Sequence, residues 1–185
     1  MAELDAIGIL ELSSIAAAYR AQDAMLKAAR VELLLARTIC SGKYLIAISG
    51  DVASVTASVN SGAEEADGFV IEKRVISRVH PSVFPAIGGS VEIPGKAGAL
   101  GVIETFSASS IIDAADAAAK AANVLLLRIH LAMAVGGKGF MLLTGDVANV
   151  RAAVETGSAA AAAEGVLVGS SIISAPAPEL FREYI

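Results

Sequence analysis

The chain has no tryptophan, and aromatic residues of every kind make up only 4% of it. Its core must therefore be filled by small and branched side chains packed closely together. With a single cysteine, Cys40, no disulfide can form within the chain. Charge is scarce too: 18% of residues are charged, 14 Lys and Arg stand against 19 Asp and Glu, and the formal net charge is −5. With no basic cluster beyond Lys73-Arg74, that balance speaks against a nucleic-acid partner. The longest stretch free of formal charge is the 14 residues from Gly165 to Pro178, interrupted by Pro176. A membrane-spanning helix needs about 20 apolar residues, so no membrane is expected. The start, MAELDAIGIL, carries acids and no basic region ahead of an apolar run. No secretory leader and a cytoplasmic location are the expectation. What is present in excess is apolar material, at 55% of 185 residues. A surplus that neither core nor membrane takes up is expected to be hidden in contacts between subunits.

The two halves repeat each other. AIGILEL at 6–12 pairs with ALGVIET at 99–105, and QDAMLKAARV at 22–31 with ADAAAKAANV at 115–124, both at an offset of 93. SGKYLIAISGDVASV at 41–55 then pairs with GGKGFMLLTGDVANV at 136–150 at an offset of 95. Two residues have been gained, and they are placed before the loop that carries Cys40. VISRVHP at 75–81 pairs with IISAPAP at 172–178 at an offset of 97. The expected organisation is a first domain over 1–90, a linker over 91–98 in the glycine-rich segment GGSVEIPGKAG, and a second domain over 99–185.

Each copy reads in the same order. IGILEL and LGVIET have strand length and β-branched content. A helix follows, with Ala21, Ala24, Met25 and Ala28 on one face and the i,i+4 pair Asp23–Lys27 on the other, matched by Asp116–Lys120. In the second copy Ser110 and Asp113 have the spacing of a capping box. Strands are expected over 31–39 and 43–49, and over 124–133 and 139–144. Asp51 and Asp146 are expected N-caps of a second helix, whose buried stripe would be Val52, Val55, Val59 and Val147, Val150, Val154. FVIEKRVIS and VLVGSSIIS close the units. The order βαββαβ is the ferredoxin-like, split βαβ arrangement.

IGILEL, DAMLKAARV, ICSGK and GDVASV, with their second-copy partners, together resemble the signature of bacterial microcompartment shell proteins. The resemblance spans about Ala6 to Phe181 and is closest to the tandem-domain members of the propanediol-utilisation T type, which carry a cysteine in the first-domain pore loop. It implies an α/β (α+β) fold of two tandem, non-permuted BMC domains. It also implies a homotrimer that mimics a hexamer, and tiling with other BMC shell proteins around encapsulated enzymes, redox enzymes among them. The family's tile-edge lysine maps onto Lys27 and Lys120. From the residues alone, the alternative for each is a solvated helix residue paired with Asp23 or Asp116.

The resemblance further implies that the loop between the second and third strands lines a central pore. Those residues are Thr38, Ile39, Cys40, Ser41 and Gly42 in copy one, and Ala134, Val135, Gly136 and Gly137 in copy two. Val135 stands where copy one has Cys40, so three of six loops would offer sulfur. In the family, three such thiolates hold a [4Fe–4S] cluster, and Cys40 is the matching position. A lone cysteine is otherwise most often a small buried hydrophobe, but Cys40 precedes a Ser-Gly turn. A metal-free pore for a polar metabolite and a ferredoxin-like trimeric ligand sensor are the competing readings. His80 and His130 read as hydrogen-bonded structure, and Glu11 and Glu104 as interface or backbone-bonded acids. No nucleophile–base–acid set is present, so no enzymatic activity is expected.

Overall fold

The computed structural model describes residues 5–92, 98–133 and 135–181. The chain divides into two compact units between Pro81 and Ser82, earlier than the boundary at 90 read from the sequence. Of the expected linker 91–98, residues 93–97 lie outside the described residues.

The first unit runs β1 (Ala6–Leu12), α1 (Ile15–Ala28), β2 (Glu32–Ile39), β3 (Lys43–Gly50), α2 (Val52–Glu65) and β4 (Val70–Ser77). Its antiparallel sheet has the order β2-β3-β1-β4, the topology that βαββαβ connectivity predicts. Ala6, Leu10 and Leu12 of β1 pack with Tyr44, Ile46 and Ile48 of β3 against Ala17, Ala18, Ala21 and Met25 of α1 and Val55 and Val59 of α2. Alternation then puts Ile7, Ile9 and Glu11 on the opposite face, where all three are also buried.

In the second unit a short helix, α3 (Val83–Gly88), precedes the repeat and packs against its second strand, burying Val83 and Ala86. Gly89 ends it in the left-handed region at φ 68°, a usual glycine stop. The repeat itself is β5 (Ala99–Thr105), α4 (Ala108–Ala121), β6 (Leu125–Leu131), β7 (Gly139–Gly145), α5 (Val147–Ala163) and β8 (Leu167–Ile173), with sheet order β6-β7-β5-β8. The duplication extends to irregularities. Register shifts fall at Glu11/Leu12 and Glu104/Thr105, and at Leu33/Leu35 and Leu126/Arg128. Such bulges are heritable features of a sheet rather than defects.

Local chemistry explains the helix starts. Ser14 and Ser107 occupy equivalent cap positions, and Asp51 and Asp146 accept from the backbone N–H of Ser54 and Asn149, both at 2.9 Å. Ser110 is not the cap: it lies one turn inside α4, where its hydroxyl donates to Glu164 Oε2 at 2.9 Å. Val52 and Val147 leave the expected stripe, at 37% and 41% exposed; each is the first residue of its helix, before the stripe begins at Val55 and Val150. Ala28 is likewise exposed, and Ala17, Ala18 and Ala21 supply the buried face of α1 together with Met25.

The two helix pairs approach at equivalent glycines but not equally closely. A Cβ placed on Gly62 of α2 would lie 2.4 Å from Met25 Cγ and 3.2 Å from the carbonyl oxygen of Ala21. On Gly157 of α5 it would lie 2.7 Å from the carbonyl oxygen of Ala114, Ala21's counterpart. Ala118 replaces Met25 in copy two, and the smaller side chain lets α4 and α5 close in.

Candidate functional site

In copy one the chain turns from β2 to β3 through Cys40–Gly42, bridging the paired residues Ile39 and Lys43. Ser41 takes φ 66°, ψ 25° and Gly42 φ 72°. Two successive left-handed residues reverse the strand in the least space, and a serine there carries backbone strain of about 1 kcal/mol. Ile39 is buried and anchors the turn, Cys40 is half-buried, and Thr38, Ser41 and Gly42 are exposed. The expected loop residues thus lie together at one hairpin tip.

Copy two differs. Between the equivalent pairs Thr38–Tyr44 and Leu131–Gly139 the chain uses residues 39–43 in one copy and 132–138 in the other. The two additional residues therefore sit inside the loop, not before it as the sequence offset suggested, because the flanking strands keep their registers. Val135 is half-buried, Gly136 and Gly137 take φ 68° and 85°, and Ala134 lies outside the described residues. The loop is braced by Ala132 N–H donating to Lys138 O at 3.0 Å and Lys138 N–H to Val135 O at 3.3 Å. At its base His130 Nε2 lies 2.6 Å from Met133 O, and the imidazole stacks on Phe140 with centroids 4.9 Å apart. His130 is thus a hydrogen-bonded, stacked residue, as its place in a strand implied.

Both hairpins end in a lysine bonded to the central strand. Lys43 Nζ lies 2.8 Å from Glu11 Oε1, and Lys138 Nζ 2.9 Å from Glu104 Oε1. Each carboxylate thus has a lysine partner within its own unit, where a backbone bond or a subunit contact was expected to satisfy it; the ion pair replaces the backbone bond and does not bear on the subunit contact. The only available signal was the shared lysine of SGK and GGK. Next to Lys43, the Tyr44 phenol is pushed above its ordinary pKa, chiefly by burial and then by the neighbouring Tyr19.

Away from the hairpins, Lys27 and Lys120 each bond the aspartate one turn earlier, Asp23 and Asp116. Their side chains remain 74% and 45% exposed. Among the described residues no helix is long and apolar enough to cross a membrane, and no three His, Cys, Asp or Glu side chains gather as a metal site within the chain.

A duplicated antiparallel βαββαβ unit whose two copies differ in the length of one hairpin defines a tandem-domain scaffold. The family profile described as BMC domain matches residues 6–79 and 99–176, and the chain belongs to that family. It is 43% identical over 180 residues to the bacterial microcompartment shell protein PduT of Citrobacter freundii, covering 97% of both chains. It is 32% identical to the carboxysome assembly protein CcmO of Synechocystis sp., over 91% of this chain and 60% of that one. The crystal structure of a microcompartments protein from Desulfitobacterium hafniense DCB superposes with a TM-score of 0.94 at 44% identity, covering 97% of this chain and 99% of that one.

Proposed function

We propose that the chain is a structural shell protein of a bacterial microcompartment, three copies of which close into a pseudohexameric tile with the hairpin loops around its axis. The observation that carries the shell reading is the pair of BMC domains spanning nearly the whole chain in unpermuted order. Support for the ring comes from unequal burial of equivalent positions. Ile7, Ile9, Glu11, Leu45 and Ala47 are all buried. Of their counterparts, Leu100 and Leu142 are buried but Val102, Glu104 and Phe140 are only half-buried, and Leu100, Val102, Phe140 and Leu142, with Ile173 and Leu180, line an open apolar cavity of about 280 Å³. An apolar face of this kind fits burial against a neighbouring subunit. Mass determination in solution tests the trimer: about three times 18.7 kDa is expected.

On this reading Cys40 holds an axial [4Fe–4S] cluster shared by three subunits. The donor set fits. Each chain offers one half-buried thiol at a hairpin tip, and no metal-binding group forms within the chain among its described residues, so the ligands must be gathered across subunits. Thiolate is the usual iron–sulfur ligand, and three protein ligands leave one iron for another donor. When bound, such a cluster supplies one-electron chemistry at the opening between two compartments, which suits electron exchange with encapsulated redox enzymes. Iron and sulfide analysis with an electronic spectrum on anaerobically isolated protein tests it. Colour and iron in the wild type, lost in Cys40→Ser with the trimer intact, are expected; iron retained by Cys40→Ser overturns the assignment. The exposed Thr38, Ser41 and Gly42 favour the second reading, a metal-free pore for a polar metabolite, and iron-free wild type would select it.

A further inference from the structure

The two hairpins differ in length, in backbone path and in the presence of a thiol, yet both keep one bond. In each, the lysine that follows the last positive-φ glycine, Gly42 or Gly137, reaches a glutamate on the central strand. The geometry is the same: Glu11 stands opposite Leu45 and Glu104 opposite Phe140, and each lysine lies two residues before that partner. The bond therefore runs diagonally across the β1–β3 and β5–β7 ladders and ties the returning arm of the hairpin to the middle of the sheet.

In copy one the tie is tighter. The Glu11 side chain is only 10% exposed, against 38% for Glu104, and a carboxylate so withdrawn from water needs its cation. On its other side Glu11 faces Glu72 across the β1–β4 ladder, whose carboxylate lies 3.3 Å from Arg74 Nε; copy two has Gly169 at that place. Like charges opposite one another make the Lys43 ammonium the more necessary. Ser41, two residues earlier, holds a left-handed conformation that persists only where its surroundings enforce it. Ile39, buried, fixes one end of the turn, and Lys43 fixes the other.

We propose that the two glutamates are positioning residues for the hairpin loops. Glu11 acts through Lys43 to hold the Cys40–Gly42 turn, and Glu104 acts through Lys138 to hold the loop of copy two. The importance of the first clamp rests on the pore-loop reading above, but its test does not. Amide hydrogen exchange is followed by mass spectrometry on the metal-free full-length chain. Glu11→Gln is expected to speed exchange over residues 39–43 by about tenfold or more, without change over 131–139. Glu104→Gln is expected to do the reverse. Exchanging the charges, with Glu11→Lys and Lys43→Glu together, is expected to restore protection, which a role in packing alone would not do. If Glu11→Gln does not fold, Lys43→Met removes the same bond from the more exposed side, and the same outcomes apply. Unaltered exchange over 39–43, equal acceleration throughout the first unit, or no recovery on charge exchange overturns the proposal. Anaerobically isolated wild type that carries no iron, together with the expected exchange pattern, overturns the cluster and leaves the clamp standing.

Discussion

Substituting alanine at Gly62 and at Gly157 makes the same chemical change at equivalent points of the two helix pairs, and the outcomes should differ. At either site alanine favours the helix by about 1 kcal/mol over glycine. The new methyl at position 62 meets mainly Met25, at 2.4 Å from Cγ and 2.9 Å from Sδ. Met25 is unbranched and can swing aside, so the overpacking of about 1 kcal/mol cancels the gain. At position 157 the methyl meets the Ala114 carbonyl oxygen at 2.7 Å and Ile103 Cδ1 at 2.8 Å. A backbone oxygen cannot rotate away, so α5 must shift as a body, at about 3 kcal/mol. The net expectation is no change for Gly62→Ala and a loss of about 2 kcal/mol for Gly157→Ala. With a urea slope of roughly 2 kcal/mol/M, the midpoint of the second variant falls by about 1 M, followed by circular dichroism at fixed protein concentration. Equal losses in the two variants would refute the idea that neighbour stiffness decides the cost.

Three further outcomes are expected. The hydroxyl and then the amide hydrogen of Ser54 hold the Asp51 carboxyl below its ordinary pKa. Its contribution is therefore complete above the unfolded value, about pH 4, and is lost as pH falls through the lower folded value; urea midpoints of Asp51→Asn should vary less with pH below that point than those of the wild type. Ser41→Val puts a β-branched residue at φ 66° and should destabilise by about 1–2 kcal/mol, whereas Ser41→Gly should not, both read by thermal melts. Lys27→Ala removes an exposed ion pair worth about 0.5 kcal/mol, and Lys120→Ala takes a cation from Asp116, whose side chain is only 13% exposed, at about 1 kcal/mol. Both variants should stay folded in thermal melts and abolish extended sheets in electron micrographs if these lysines join neighbouring tiles; sheets that persist in the double variant reject that role.

Much of the fold was legible because the same pattern occurs twice. One ambiguous apolar run is weak evidence, but AIGILEL and ALGVIET at a fixed offset, each ahead of a DxxxK helix and a GDV cap, constrain one another. Asp51 and Asp146 were readable because a cap acts through neighbours three residues away. Long-range chemistry was not readable. Glu11 and Lys43 are 32 residues apart, and nothing local in IGILEL says which cation will reach its acid. The α3 helix escaped because its VFPAIG segment is too short for a period to emerge, and its burial depends on β6. The position of the added residues was misread because an offset counts residues without saying which are paired.

The unequal turns lie between strands whose pairing is the same in both halves. Each hairpin tip is thus an interchangeable cassette: grafting 39–43 in place of 132–138 would double the thiols per chain and leave both ladders in place. Gene duplication gave this lineage one scaffold with two sockets, free to acquire different chemistry in each.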